Sequence, residues 1–124
     1  MKTVLVVDDE LDIAEAVKSI LEDEGYKVVV CANGREALQQ LDSARPDLAI
    51  VDVMMPVMNG FDTIRAIRRH PAFAQLPVLI MSAIDPSVRP PEYDWAGFLK
   101  KPFSLSDLLT RVNQLAPAER SGTA

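Results

Sequence analysis

Apolar and polar positions along the chain follow two alternating periods. Five short apolar runs read as strands buried on both faces: Thr3–Val7, Tyr26–Ala32, Leu48–Val53, Val78–Ala83 and Gly97–Lys101. Between the first two, Asp9–Glu24 carries Ile13, Val17, Ile20 and Leu21 at the spacing of an amphipathic helix. Gly25 stands where a helix C-terminal glycine belongs. Asn33-Gly34 is a turn or cap signal, and a short helix follows through Ala37, Leu38 and Leu41 until Pro46. Met54–Gly60 reads as a loop, and Phe61–His70 as a helix with Phe61, Ile64 and Ile67 on one face, stopped by Pro71. Ser104–Ala116 is the last helix; SLSD resembles a capping box, and Leu105, Leu108, Leu109, Val112 and Leu115 are expected to face inward. Strands alternating with helices predict an α/β fold, a parallel sheet covered on both faces. The fourth unit breaks the pattern. Pro90-Pro91, within DPSVRPPEYDW, excludes a regular helix and predicts an irregular or shortened one.

Composition narrows the picture. The 124 residues fit one domain, expected over residues 1–116, with a flexible tail over 117–124. A net charge of −5 without any basic run argues against direct nucleic-acid binding, since the adjacent basic pairs are only Arg68-Arg69 and Lys100-Lys101. The single Cys31 lies in an apolar stretch and reads as a small buried hydrophobe. It allows no disulfide within the chain, which fits a reducing compartment. There is no signal segment and no run approaching a membrane span. The expectation is a cytoplasmic protein without membrane contact.

The chemistry collects at the strand ends. Asp8 and Asp9 end the first strand, Asp52 the third, Ser82 the fourth and Lys101 the fifth. In a sheet ordered 2-1-3-4-5, the first and third strands flank the point where strand order reverses, and ligands bind there. Adjacent carboxylates repel unless a cation neutralises them. Hard oxygen ligands without His or Cys favour Mg²⁺, Mn²⁺ or Ca²⁺ over zinc. A lysine and a hydroxyl at the same edge suit phosphoryl oxygens. Asp52 is then either a ligand only or a ligand that is also the nucleophile.

The motifs VLVVDDE, IVDVMMPVMNG, MSA and KKPF, in that order over nearly the whole chain, resemble the receiver domains of two-component response regulators. The resemblance implies a doubly wound, flavodoxin-like (βα)5 fold with sheet order 2-1-3-4-5. It implies that Asp52 accepts a phosphoryl group, in a Mg²⁺-dependent reaction, from a histidine kinase or histidine phosphotransfer protein. Asp9 and Asp52 would ligate the Mg²⁺ (or Mn²⁺) directly, Asp8 largely through water, and the backbone carbonyl of Met54 would complete the protein's share. Ser82 and Lys101 would meet the phosphoryl group. Ser82 and Phe98 would form the switch, and a cis bond would precede Pro102. Output would pass to a downstream protein effector, and the chain would catalyse only its own phosphotransfer and dephosphorylation.

Each position also has a plainer reading. Acids after a strand favour a helix N-terminus, which accounts for Glu10 and one aspartate. Asp52 alone could end a strand, Ser82 could bond backbone, and Phe98 could be a core aromatic. Lys100 reads as solvated, and His70 as a helix C-terminal residue rather than a phosphodonor. Met54, Met55 and Met58 read as loop packing, Trp95 as core cover, and Tyr93 as a partner contact. Two other functions are open: a phosphorylation-independent receiver-like scaffold, and a Mg²⁺-dependent phosphatase. Met54 stands where the phosphatase needs a second acid, two residues after Asp52. Neither Met54 nor Ile84, two after Ser82, can orient a water, so phosphate loss is expected to be slow.

Overall fold

In the computed structural model, which describes residues 1–53, 59–83 and 96–117, each apolar run forms one strand of a single parallel sheet. The strands are β1 (Thr3–Val7), β2 (Lys27–Cys31), β3 (Leu48–Asp52), β4 (Val78–Ser82) and β5 (Gly97–Lys100), ordered β2-β1-β3-β4-β5. The helices are α1 (Leu11–Asp23), α2 (Gly34–Ala44), α3 (Gly60–Arg69) and α4 (Leu105–Leu115), with a 3-10 turn over Pro71–Phe73. The predicted α/β class and strand order are thus observed. The expected irregular fourth helix, with Tyr93 and Trp95, lies outside the described residues, as do Met54, Met55, Met58 and the tail beyond residue 117.

Strand alternation divides the core in two. Val4, Val6, Ile50, Leu79, Met81 and Leu99 pack in one cluster with Val17 and Leu21 of α1 and Leu108 and Val112 of α4. Leu5, Val7, Val51 and Ile80 pack in the other with Leu41 of α2 and Ile64 and Ile67 of α3. Full burial of each such side chain stabilises the fold by about 1.5–3 kcal/mol. Cys31 lies in this second cluster at 1% exposure, and burial, reinforced by the charge of Glu36, pushes its thiol up to about 11. The core of the first cluster is closed at one end by Tyr26, whose hydroxyl donates to the Ala116 carbonyl at 2.7 Å.

The helix ends follow from local chemistry. Asn33, Asn59 and Ser104 each accept the backbone N–H of the residue three positions on, at 2.9, 2.9 and 3.0 Å, worth about 1 kcal/mol each. Gly25 follows α1 with φ of +93°, the left-handed conformation that glycine adopts without strain. His70 caps α3, accepts the Ala72 N–H at Nδ1 and meets Asp42 of α2 at 3.0 Å, so it fastens one helix to the next. Leu105 departs from expectation. It is 56% exposed, because it opens the first turn of α4 and the packed stripe begins one turn later at Leu108.

Gly60 bears directly on the strand that ends in Asp52. Its N–H donates to the Val53 carbonyl at 2.9 Å, and a Cβ here would lie 2.5 Å from the Asp52 carbonyl oxygen and 2.6 Å from Val53 Cα. Those are backbone atoms that cannot swing aside. Gly60→Ala is therefore expected to destabilise the fold by about 1–3 kcal/mol, read as a lower urea midpoint with an unchanged slope. An unchanged midpoint would mean that α3 is free to draw back from β3.

Candidate functional site

The site is assembled by register and alternation. β1 and β3 are neighbours at the point where sheet order reverses, so their carboxyl ends open side by side. Asp8 continues the alternation of Val4 and Val6, Asp52 that of Leu48 and Ile50, and Lys101 that of Leu99. All three therefore share the sheet face covered by α1 and α4. The backbone ladder extends past the strand ends to hold them. The Asp8 N–H donates to the Cys31 carbonyl at 3.0 Å, and the Lys101 N–H to the Ser82 carbonyl at 2.8 Å.

One ammonium joins the group. Lys101 Nζ donates to Asp8 Oδ2 at 3.0 Å, Glu10 Oε1 at 3.0 Å and Asp52 Oδ2 at 3.2 Å. The side chains of Asp8 and Asp52 are 0% and 3% exposed, that of Lys101 11%, and that of Glu10 58%. Asp8 Oδ1 also accepts the Glu10 N–H at 2.8 Å, which fixes the start of α1 against the cluster. Carboxylate oxygens of Asp8, Glu10 and Asp52 lie within 4.8 Å of one another. Three carboxylates against one ammonium leave two negative charges, the complement of a divalent cation. Burial alone would lower Lys101, but hydrogen bonds to Glu10 and Asp8 and the charges of Asp8 and Asp52 outweigh it and raise the ammonium above its ordinary value. With the folded value raised, its stabilising contribution is complete below the ordinary 10.5 and is lost as pH rises through the folded value.

The structure places the other expected site residues as follows. Ser82 is buried at the end of β4, in register with Lys100, which is exposed. Phe98 pairs with Ile80 and packs, half-buried, on the α2–α3 side; Ser82 has the same strand parity as Ile80. The Lys101–Pro102 bond is cis. Asp9 is exposed and stands outside the group that Asp8, Glu10 and Asp52 form. Met54 lies outside the described residues. Glu10 is the member that sequence reasoning left to the helix N-terminus. It does cap α1, yet its side chain makes no capping bond. Glutamate is not among the preferred N-cap residues, and that mismatch was the available signal.

Lys101 holds apart two carboxylates that water does not reach. Lys101→Met is therefore expected to cost about 3 kcal/mol of stability in the absence of divalent cations, by leaving buried charges uncompensated. Adding Asp52→Asn should recover part of that loss in chemical denaturation. If Lys101→Met proved neutral, the ammonium would not be the counter-charge of the site.

Comparison with known proteins agrees with this arrangement. The family described as response regulator receiver domain matches residues 4–113. Response regulator MprA of Mycolicibacterium vanbaalenii is 38% identical over 115 residues, covering 90% of this chain and 49% of that protein. The chain thus spans about half the length of that relative. The chemotaxis response regulator CheY4 of Vibrio cholerae has a solved structure of TM-score 0.88 and 36% identity, covering 93% of this chain and 98% of that one. The response regulator TrrA of Thermotoga maritima, solved in complex with Mg(2+)-BeF, has a TM-score of 0.82 and 31% identity, covering 93% and 99%. With sheet order, acidic group and sequence in agreement, this chain belongs to the response regulator receiver domain family.

Proposed function

We propose that Asp52 is the phosphoacceptor of this receiver domain and that a histidine kinase or histidine phosphotransfer protein is the donor. The observation that carries the reading is the Lys101 ammonium, 3.2 Å from Asp52 Oδ2 and 3.0 Å from Asp8 Oδ2 at the carboxyl edge of the sheet. A carboxylate oxygen of Asp52 attacks phosphorus in line. The new P–O bond forms as the P–N bond to the donor imidazole breaks, and the electron pair stays on the imidazole nitrogen. Catalysis of such a transfer is positioning and charge neutralisation. Lys101 supplies one charge, already facing Asp52. The donor set is hard carboxylate oxygen, which fits Mg²⁺ or Mn²⁺. Asp8, Asp9, Asp52 and the Met54 carbonyl would hold the cation. It supplies further neutralisation of phosphoryl charge when bound, and the Mg(2+)-BeF complex of TrrA supports that assignment.

The phosphorylated aspartate replaces one negative charge by nearly two and adds acceptors. Ser82 is then drawn toward the phosphoryl group and Phe98, of the same strand parity, follows into the space released. This is a two-state element biased by one local bond. Output passes to a downstream protein effector. The chain turns over no separate substrate, since Asp52 is consumed by its own phosphorylation and regained by hydrolysis.

Intact-mass spectrometry after incubation with acetyl phosphate tests the reading. One phosphoryl adduct is expected in wild type with Mg²⁺, and none without Mg²⁺ or in Asp52→Asn. An adduct that survives Asp52→Asn, or none in wild type, would overturn it. The adduct should decay slowly, because Met54 and Ile84 offer no group to orient the attacking water. A half-life of seconds in the purified protein would contradict that expectation.

A further inference from the structure

Glu10 is neither a phosphoacceptor nor a proposed metal ligand, yet it is tied to the site. It occupies the N-cap of α1 with extended φ and ψ of −85° and 96°, yet the side chain makes no capping bond. Instead Oε1 lies 3.0 Å from Lys101 Nζ. Its own N–H is held by Asp8 Oδ1 at 2.8 Å, so one buried acid fixes the backbone from which Glu10 reaches the ammonium. Of the three carboxylates on Lys101, only Glu10 meets solvent substantially, at 58% against 0% and 3%. A cavity of about 560 Å³ beside them is bordered by Glu10 and Lys101 but otherwise mostly by apolar side chains of α1 and by Pro102 and Phe103, so the solvent edge rather than the cavity is where a charged pair can go.

These features define a problem and its solution. Lys101 occupies Oδ2 of Asp8 and Oδ2 of Asp52. A divalent cation held by Asp8, Asp9 and Asp52, as proposed above, would draw on the same two residues and repel the ammonium. The ammonium must move without losing all of its counter-charge. Glu10 is the partner that can keep its contact with the ammonium on the solvent side, because its carboxylate is already 58% exposed.

We propose that Glu10 is a positioning residue for Lys101, giving the ammonium a solvent-side partner to withdraw to when a divalent cation binds at the acidic site. The proposal rests on the receiver-site reading above. It assigns Glu10 no direct metal bond. Its effect on the cation runs through Lys101, and that separates it from a simple added negative charge.

The test is a double-mutant cycle on the unphosphorylated protein, with Mg²⁺ affinity read by isothermal titration calorimetry. Glu10→Gln keeps the side-chain length and removes the charge. It is expected to weaken Mg²⁺ binding about tenfold in the wild-type background, and less than about twofold when Lys101 is already Met. Equal weakening in both backgrounds would show a simple charge effect and overturn the positioning role. Because Lys101→Met is the less stable variant, NMR of the Lys101 ammonium in wild type and Glu10→Gln provides a second reading. Mg²⁺ should shift that signal in wild type while its contact with Glu10 persists, and Glu10→Gln should abolish the contact. An ammonium that does not respond to Mg²⁺ in wild type would overturn the proposal. A Mg²⁺-dependent adduct on Asp52 with additive calorimetry would sink the role of Glu10 alone. Failure of wild type both to bind Mg²⁺ and to accept phosphate would remove the receiver-site reading together with it.

Discussion

The structure depends on one ammonium shared between buried carboxylates. Asp8 and Asp52 sit side by side at the ends of adjacent strands, essentially without solvent. Two bare acids in such a place would repel each other and lack hydration, a combination costing several kcal/mol. Lys101 resolves this by reaching both from β5, two strands away from β3 in the sheet. The arrangement demands correct register in every strand between them. A one-residue slip in β5 would send Lys101 to the other face and place Lys100 on this one. The site thus constrains the sheet as much as the sheet builds the site.

Much of this was legible from the chain because the two periodicities are local. All five strands appear within a residue or two of the runs that predict them, and Asn33, Gly25 and Ser104 mark helix ends by their own chemistry. Asp8, Asp52 and Lys101 were recognisable as polar residues closing apolar runs. What the pattern could not supply was reach across the sheet. Asp9 and Glu10 are both acids just after β1, and nothing in their order says which of them reaches Lys101. In three dimensions it is Glu10 that meets the ammonium, because the turn held by Asp8 Oδ1 aims its longer side chain at Lys101. Leu105 shows the same limit in the core. Its spacing fits the apolar stripe of α4, but a stripe does not say where the partner surface begins.

The division of the core into two clusters also divides the site. Asp8, Asp52 and Lys101 carry the parity of the cluster under α1 and α4, whereas Ser82 carries that of Ile80, and Phe98 packs in the cluster under α2 and α3. The buried acids with their ammonium and the residues Ser82 and Phe98 therefore carry opposite parities of one sheet and meet at its carboxyl edge. A flat sheet is a poor conductor between its faces, since each side chain packs only with its own layer. At the strand ends a backbone bond also joins the two layers.

That connection is short. The Lys101 N–H donates to the Ser82 carbonyl at 2.8 Å, just past the register pair of Ser82 and Lys100. Any displacement of the Lys101 backbone is felt at Ser82 through this one bond, and at Phe98 through Leu99 and Lys100, the two residues between them. Glu10 enters the same chain of contacts from the other side, since it holds the ammonium of Lys101 and is itself held by Asp8. Charge at the acidic edge, the position of Lys101 and the parity-matched residues Ser82 and Phe98 are thus linked by a few named contacts. Strand pairing fixes most of them, and the carboxylate of Glu10 is the member that faces solvent.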